Sequence, residues 1–470
     1  MFKKLAGLSM VVAMSAALAA CGSSQSASTA DEKAADTEKE VSEVAETETA
    51  ADTEVATDTA VEGAVTGTYD IVITGYDWGA GVNEVTLNLD SALDSVSADD
   101  FSVTETKMST DWTSETFDIV EVTVDRQVTD AYFVDAEGNK TDEPSNNVKL
   151  ELYVSPNDGS PFLFSMATQF NTYSNPYYLN INASDTASFA LDIAQDYANK
   201  TTSADNWGLD SYEASDGVNY SYAYYNPETE SDTLFVWLHG MGEGGTEDTD
   251  PYLTILANKV TALASDEFQS TVGGAYVVAP QCPTYWMDSD GAMGNFNGGI
   301  AADGSSFYKE SLEEFIDAYA EKVGATKIVV GGCSNGGYMT MVLAMSRPDA
   351  YAGVIPICEA VSDEYITDEQ IASLVDLPMY FIYSEDDTTV DPTLCEVPTI
   401  ERLKAAGKTD DTLHVSTTEH VVDTSGLYTD ADGNPYQYMG HWSWIYFDNN
   451  DSKCNDDGLT AWDFIANVVK

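Results

Sequence analysis

The sequence predicts three structural regions: a disordered acidic segment, an all-β sandwich, and an α/β domain built on a mainly parallel, doubly wound sheet. Three observations carry this reading. Residues 22–66 contain almost no large apolar side chain. Residues 67–185 hold short β-branched runs separated by turn residues, with no convincing amphipathic helix among them. From residue 205 onward, short apolar runs alternate with helical stripes.

The N-terminus reads as a targeting signal. Lys3 and Lys4 precede an apolar or small run from Leu5 to Ala19, too short for a comfortable permanent span. The run ends in Leu18-Ala19-Ala20-Cys21, which resembles the bacterial lipobox, whose cysteine is lipidated and becomes the mature N-terminus. The competing reading is an ordinary secretory leader with a chance cysteine. A lipobox predicts an extracytoplasmic protein held to the cell membrane through Cys21. Residues 22–66 are mostly Ala, Thr, Ser, Asp and Glu, with Lys33 and Lys39 as the basic residues. Such a segment buries too little surface to offset its ordering entropy. Its like charges extend it, to on the order of 150 Å when stretched.

Acidic residues outnumber basic ones 80 to 19, for a net charge of −61. That charge repels phosphate backbones and anionic lipid, which argues against nucleic-acid partners and favours neutral substrates. Besides Cys21 there are Cys282, Cys333, Cys358, Cys395 and Cys454. The number is odd, so at least one is free, and no Cys-x-x-Cys pair indicates a zinc knuckle. A Cys395–Cys454 disulfide is the pairing considered.

Within 67–185 the strand-like runs are 69–74, 84–89, 101–106, 117–124, 148–154 and 177–181, divided by turns such as Glu137-Gly138-Asn139. This spacing reads as a sandwich. It is expected to be accessory and without a catalytic side chain. Tyr76, Trp78 and Trp112 are either carbohydrate contacts or core.

In the last region the runs 234–238, 276–279, 328–331, 354–357 and 379–383 are uniformly apolar, as strands buried on both faces must be. Leu312, Phe315, Ile316, Tyr319 and Val323 share one helical face, stopped by Gly324. Met339, Val342 and Leu343 make a second, and Leu459, Trp462, Ile465 and Val469 a terminal one. Strand and helix in alternation give a parallel sheet covered on both sides.

Chemistry concentrates at Gly332-Cys333-Ser334-Asn335-Gly336, a Gly-x-Ser-x-Gly motif between a buried strand and a helical stripe. That is the setting of a nucleophile elbow, and it makes Ser334 the candidate nucleophile. A serine hydroxyl needs a base, and the base an orienting carboxylate, in the chain order Ser, acid, His. Asp387 lies just past the apolar run 379–383 and is the candidate acid, with Asp386 and Asp391 as rivals. There are four histidines. His239 comes too early in the chain, and His414 lies inside a strand-like run. His441, in a loop before the last helix, is the candidate base, with His420 as runner-up. The N–H of Asn335 and that of Met241, in His239-Gly-Met-Gly-Glu-Gly-Gly245, are the candidate oxyanion donors. Trp286, Met287 and Trp442 are candidate walls of the substrate pocket. Asp430-Ala-Asp-Gly-Asn434 lacks the full calcium-loop spacing and reads as a hairpin turn. No P-loop occurs, and neither cofactor nor metal is called for.

These motifs, with Ala279-Pro-Gln-Cys-Pro283, Asp387-Thr-Thr-Val390 and Gly440-His441-Trp442, make residues 205–470 resemble the prolyl oligopeptidase-related esterases of the α/β-hydrolase superfamily. Tyr76-Asp-Trp-Gly-Ala-Gly-Val82 resembles the immunoglobulin-like N-terminal domain of some of these esterases. Ser384 stands where many relatives have glycine. The resemblance implies a carboxylester hydrolase working through an acyl-enzyme on short acyl or aryl esters, free or carbohydrate-linked. A serine peptidase and a non-catalytic binding lipoprotein are the alternatives. The short sandwich, with no propeller repeat, argues against the peptidase, and the complete triad argues against the binding protein.

Overall fold

The computed structural model describes residues 63–245, 249–292 and 302–470. The lipobox with Cys21, and residues 22–62 of the acidic segment, lie outside the described residues. Among the described residues no helix is long and apolar enough to cross a membrane.

The N-terminal domain is built from β1 (Val65–Tyr76), β2 (Gly79–Leu89), β3 (Phe101–Thr110), β4 (Ile119–Arg126), β5 (Val128–Val134), β6 (Lys140–Thr141), β7 (Asn147–Leu152), β8 (Phe162–Ser165), β9 (Phe170–Tyr173), β10 (Tyr177–Ala183), β11 (Leu191–Ile193) and β12 (Asn199–Thr202). One sheet has the order β11, β1, β2, β7, β5, β6, and the other β10, β3, β4, while β8 and β9 form a separate hairpin. Burial alternates along β1, so Ile71 and Ile73 face Val85, Leu87, Leu150 and Ile181 in one core while their neighbours face out. The first sheet continues past residue 185. Leu191–Ile193 and Asn199–Thr202 both pair in parallel with β1, and β12 matches Asp70 to Asn199 and Ile73 to Thr202. Two short parallel additions carry little alternation of their own, which is why no strand is legible there. The strand also begins at Val65, inside the segment read as disordered.

The C-terminal domain has β13 (Gly208–Glu213), β14 (Asn219–Tyr225), β15 (Thr233–Leu238), β16 (Tyr276–Pro280), β17 (Lys327–Cys333), β18 (Gly353–Ile357), β19 (Met379–Ser384) and β20 (Leu413–Thr418). Its helices are α1 (Leu253–Leu256), α2 (Asp266–Val272), α3 (Lys309–Val323), α4 (Asn335–Ser346), α5 (Asp368–Ser373), α6 (Glu396–Ala406), α7 (Trp444–Asp448) and α8 (Ala461–Val468). The sheet order is β13, β14, β16, β15, β17, β18, β19, β20. The strands from β16 to β20 in that order run parallel, and β13 and β14 are an antiparallel edge. Along β15 the side chains split between two cores: Leu234, Val236 and Leu238 face α3, α4 and α6, while Phe235 and Trp237 face α2, α7 and α8. Both faces are thus covered, and every residue of β15 is buried. Ser334, Asp387, His441, Asn335 and Met241 all follow C-terminal strand ends or lie in the loops joined to them, which is where ligands bind in such sheets.

The two domains touch. Asn449 donates to Asp77 at 3.0 Å, Lys259 donates to Asn449 at 2.7 Å, and Lys259 lies 3.7 Å from Asp77. Trp78 stacks on Tyr76 and meets the edge of Tyr428.

Candidate active site

The chain turns sharply between β17 and α4, and Ser334 takes the turn with φ 55° and ψ −116°. A non-glycine residue held there is strained, and its surroundings must enforce it. They do so by leaving no room. A Cβ at Gly336 would sit 1.9 Å from the Leu238 carbonyl oxygen, and one at Gly332 2.4 Å from the same atom. At Gly337 it would fall 2.4 Å from the Ile357 oxygen. Strand β15, the elbow and β18 are therefore in backbone contact. The Ser334 N–H donates to the Ile357 carbonyl at 2.9 Å and also lies 3.2 Å from Cys358 Sγ.

Three side chains converge at this turn. The Ser334 hydroxyl is 2.8 Å from His441 Nε2. His441 Nδ1 is 2.7 Å from Asp387 Oδ2. Asp387 Oδ1 accepts from the N–H groups of Thr389 and Val390 at 2.8 and 2.9 Å, so both its oxygens are spoken for. His441 and Asp387 are buried, and Trp444 meets the imidazole edge-on at 5.5 Å. In this arrangement the carboxylate fixes the imidazole with Nδ1 protonated, so Nε2 can take the serine proton.

The rivals pair with each other. Asp386 holds exposed His420 at 2.7 Å and accepts from Ser384 Oγ at 2.6 Å. That hydrogen bond raises the His420 pKa. Ser384, the residue that differs from the family pattern, thus anchors Asp386 while Asp387 faces His441. Gly440 is required beside it, because a Cβ there would lie 2.2 Å from Asp386 Oδ1. Asp391 accepts from its own loop at Thr393.

Asn335 opens α4 and Met241 opens a 3-10 turn, so neither N–H has an acceptor inside its own helix. The two loops are neighbours: a Cβ at Gly336 would be 2.7 Å from the His239 oxygen, and one at Gly240 3.7 Å from Cys333 Sγ. His239 holds them in place. It is fully buried, its Nε2 accepts from the Cys282 N–H at 2.9 Å, and its Nδ1 lies 2.6 Å from the Gly240 carbonyl. Burial pushes its pKa down to about 4, so it stays neutral. The Asn335 side chain accepts from the Met287 N–H at 3.0 Å, tying in the loop after β16.

Trp286 is a correction. It is fully buried between His239, Tyr220 and Tyr308, so it fills the core and does not wall a pocket. A loop tryptophan in the sequence does not disclose which way it points. Met287 is buried too, whereas Trp442 is half-buried against Tyr438 and Trp444. The considered disulfide is also absent, since Cys395 and Cys454 are both free and buried. Asp430 and Asn434 form a turn closed by Gly433, as read.

Two features were not read from the sequence. Glu359 and Glu396 are completely buried near Asp387 and Cys358. Desolvation pushes Glu359 up to about 8, and desolvation together with Glu359 drives Glu396 well above the carboxylate range. Burial thus favours the neutral form of both. The other feature is the β8–β9 hairpin of the sandwich, which packs on the loop carrying Met241. A Cβ at Gly242 would lie 2.8 Å from the Asn171 amide nitrogen, and one at Gly244 2.7 Å from the Phe170 ring.

Residues 68–192 match the family described as the esterase Ig-like N-terminal domain, and residues 222–429 match the phospholipase/carboxylesterase family. Among solved structures, a thermostable esterase is similar at 21% identity and a TM-score of 0.61, covering 81% of this chain and 96% of that one. An S-formylglutathione hydrolase from Agrobacterium tumefaciens is 14% identical with a TM-score of 0.38, over 56% of this chain and 95% of its own. No curated protein sequence matches this chain. The fold, the two family matches and the serine-centred geometry agree: this chain is a serine hydrolase that joins an esterase immunoglobulin-like N-terminal domain to an α/β-hydrolase domain of the phospholipase/carboxylesterase family.

Proposed function

We propose that the protein is a lipid-anchored, extracytoplasmic carboxylester hydrolase acting through an acyl-enzyme on Ser334. The observation that carries the chemistry is the relay of 2.8 Å from Ser334 to His441 and 2.7 Å from His441 to Asp387. Ser334 Oγ attacks the ester carbonyl while His441 Nε2 takes its proton. The tetrahedral oxyanion accepts from the N–H groups of Asn335 and Met241. His441 then returns the proton to the departing alkoxide, leaving the acyl group on Ser334. Water repeats the sequence with His441 as base, releases the acid and restores the serine.

The substrates we assign are short acyl or aryl esters, free or carbohydrate-linked. Half-buried Trp442 offers an apolar wall, and the strongly acidic surface favours neutral molecules. The test is a panel of short acyl and aryl esters beside matched peptide amides. Esters are expected to be cut with far higher kcat/KM, and equal cleavage of the amides would support the peptidase reading instead. Ser334→Ala should abolish turnover and labelling by a fluorophosphonate; retained labelling would place the nucleophile elsewhere. The anchor rests on the lipobox at Cys21. Cys21→Ser is expected to release the protein from the membrane fraction, and unchanged membrane association would refute it.

A further inference from the structure

At the end of the sheet away from the triad, three side chains of metal-binding type meet. His414 is the second residue of β20, and it enters the sheet from the N-terminal edge. The turn from Cys454 to Gly458, just before α8, is laid against that strand. Asn455 donates its N–H to the Val415 carbonyl at 2.8 Å, and its side chain bonds Thr417 twice, at 3.2 and 2.9 Å. The turn closes on itself through Gly458 N–H to the Cys454 carbonyl and Cys454 N–H to the Leu459 carbonyl, both 2.8 Å. This scaffold presents Cys454 and Asp457 to His414, with one donor atom from each lying within 4.8 Å of the others. His414 Nδ1 and Asp457 Oδ2 are 3.9 Å apart, too far for a hydrogen bond. The ring is held between Tyr380 and Phe464, at 5.9 and 5.6 Å. His414 and Cys454 are buried while Asp457 is exposed, so the cluster has an apolar floor and an open mouth. Asp410, Asp411 and Asp456 add negative charge around the imidazole.

We propose that His414, Cys454 and Asp457 bind one divalent zinc ion, with solvent as the fourth ligand. A thiol with an imidazole is the donor set of zinc and not of calcium or magnesium, which take oxygen ligands. Zinc bonds run about 2.0–2.3 Å to these atoms, so the ion draws them slightly closer than they stand. As it binds, the Cys454 thiol releases its proton to solvent and the thiolate takes its place on the metal. Bound there, the ion staples the turn before the last helix to the edge strand of the sheet.

The test uses the full chain stripped of metal and titrated with zinc or cobalt chloride. One equivalent of zinc is expected to bind in competition with a chromophoric chelator and to raise Tm. Cobalt is expected to give a thiolate-to-metal charge-transfer band. Cys454→Ser should remove the band and the Tm increase. Exposed Asp457→Asn, which leaves the buried side chains intact, should weaken zinc by at least about tenfold. Absence of the cobalt band in the unaltered chain overturns the proposal. So does zinc affinity unchanged in both variants, which would assign binding to the acidic surface at large.

Discussion

A single methyl group at Gly336 would meet the Leu238 carbonyl at 1.9 Å, so the elbow depends on what its flanking residues lack. Gly336→Ala is expected to destabilise the fold by about 3 kcal/mol, the upper end for overpacking, because backbone must move on both sides. The urea midpoint measures it, and a midpoint equal to that of the unaltered chain would show that the elbow yields cheaply. A second expectation follows from the buried acids. Glu243 is pushed up to about 7 and Glu359 to about 8 by burial. In the unfolded chain they titrate near 4.5, so between that pH and their folded values the folded state binds more protons. Stability therefore falls as pH rises from about 5 to 8, by on the order of a few kcal/mol. Glu359→Gln should flatten that slope, read as urea midpoints at several pH values; an unchanged slope would mean Glu359 is not part of it. At this scale Ser334, Asp387 and His441 were legible because chain order and strand ends constrain them. Trp286, Glu359 and Glu396 were not, since their environment is made by segments far apart in sequence.

Among elements, those buried on both faces were the easiest to read. Strands β15 to β19 show as unbroken apolar runs, and their limits move by only a residue or two. The antiparallel edge β13 and β14 escaped because its Tyr- and Ser-rich segments are half-exposed and carry no such run. The hairpin β8–β9 was missed for a related reason: its strands are four residues each, and its partner is the Met241 loop of the other domain. That contact makes the sandwich part of the site's support. Phe170→Ala is expected to lower kcat about tenfold with little change in KM, since a displaced donor weakens transition-state binding more than substrate binding. Circular dichroism should stay unchanged. A kcat equal to that of the unaltered chain would show that the loop holds itself.

For the whole molecule the dominant quantity is charge. A net −61 repels itself in the compact state, and salt shortens that repulsion to about 10 Å at 0.1 M. Tm is therefore expected to rise between about 0.01 M and about 0.3 M sodium chloride, where the Debye length falls several-fold. A flat or falling Tm would mean the charge is already compensated locally. The pairing of β1 with β12 has a further, mechanical consequence. A load applied between the N-terminal end and the hydrolase domain pulls β1 backward and β12 forward. The two strands are parallel, so their ladder from Asp70–Asn199 to Ile73–Thr202 is loaded in shear, all rungs together, and does not unzip one rung at a time. Strand β1 is also clamped on its other side by ten residue pairs to β2. Under such a load the sandwich should therefore yield only when all of those rungs break together.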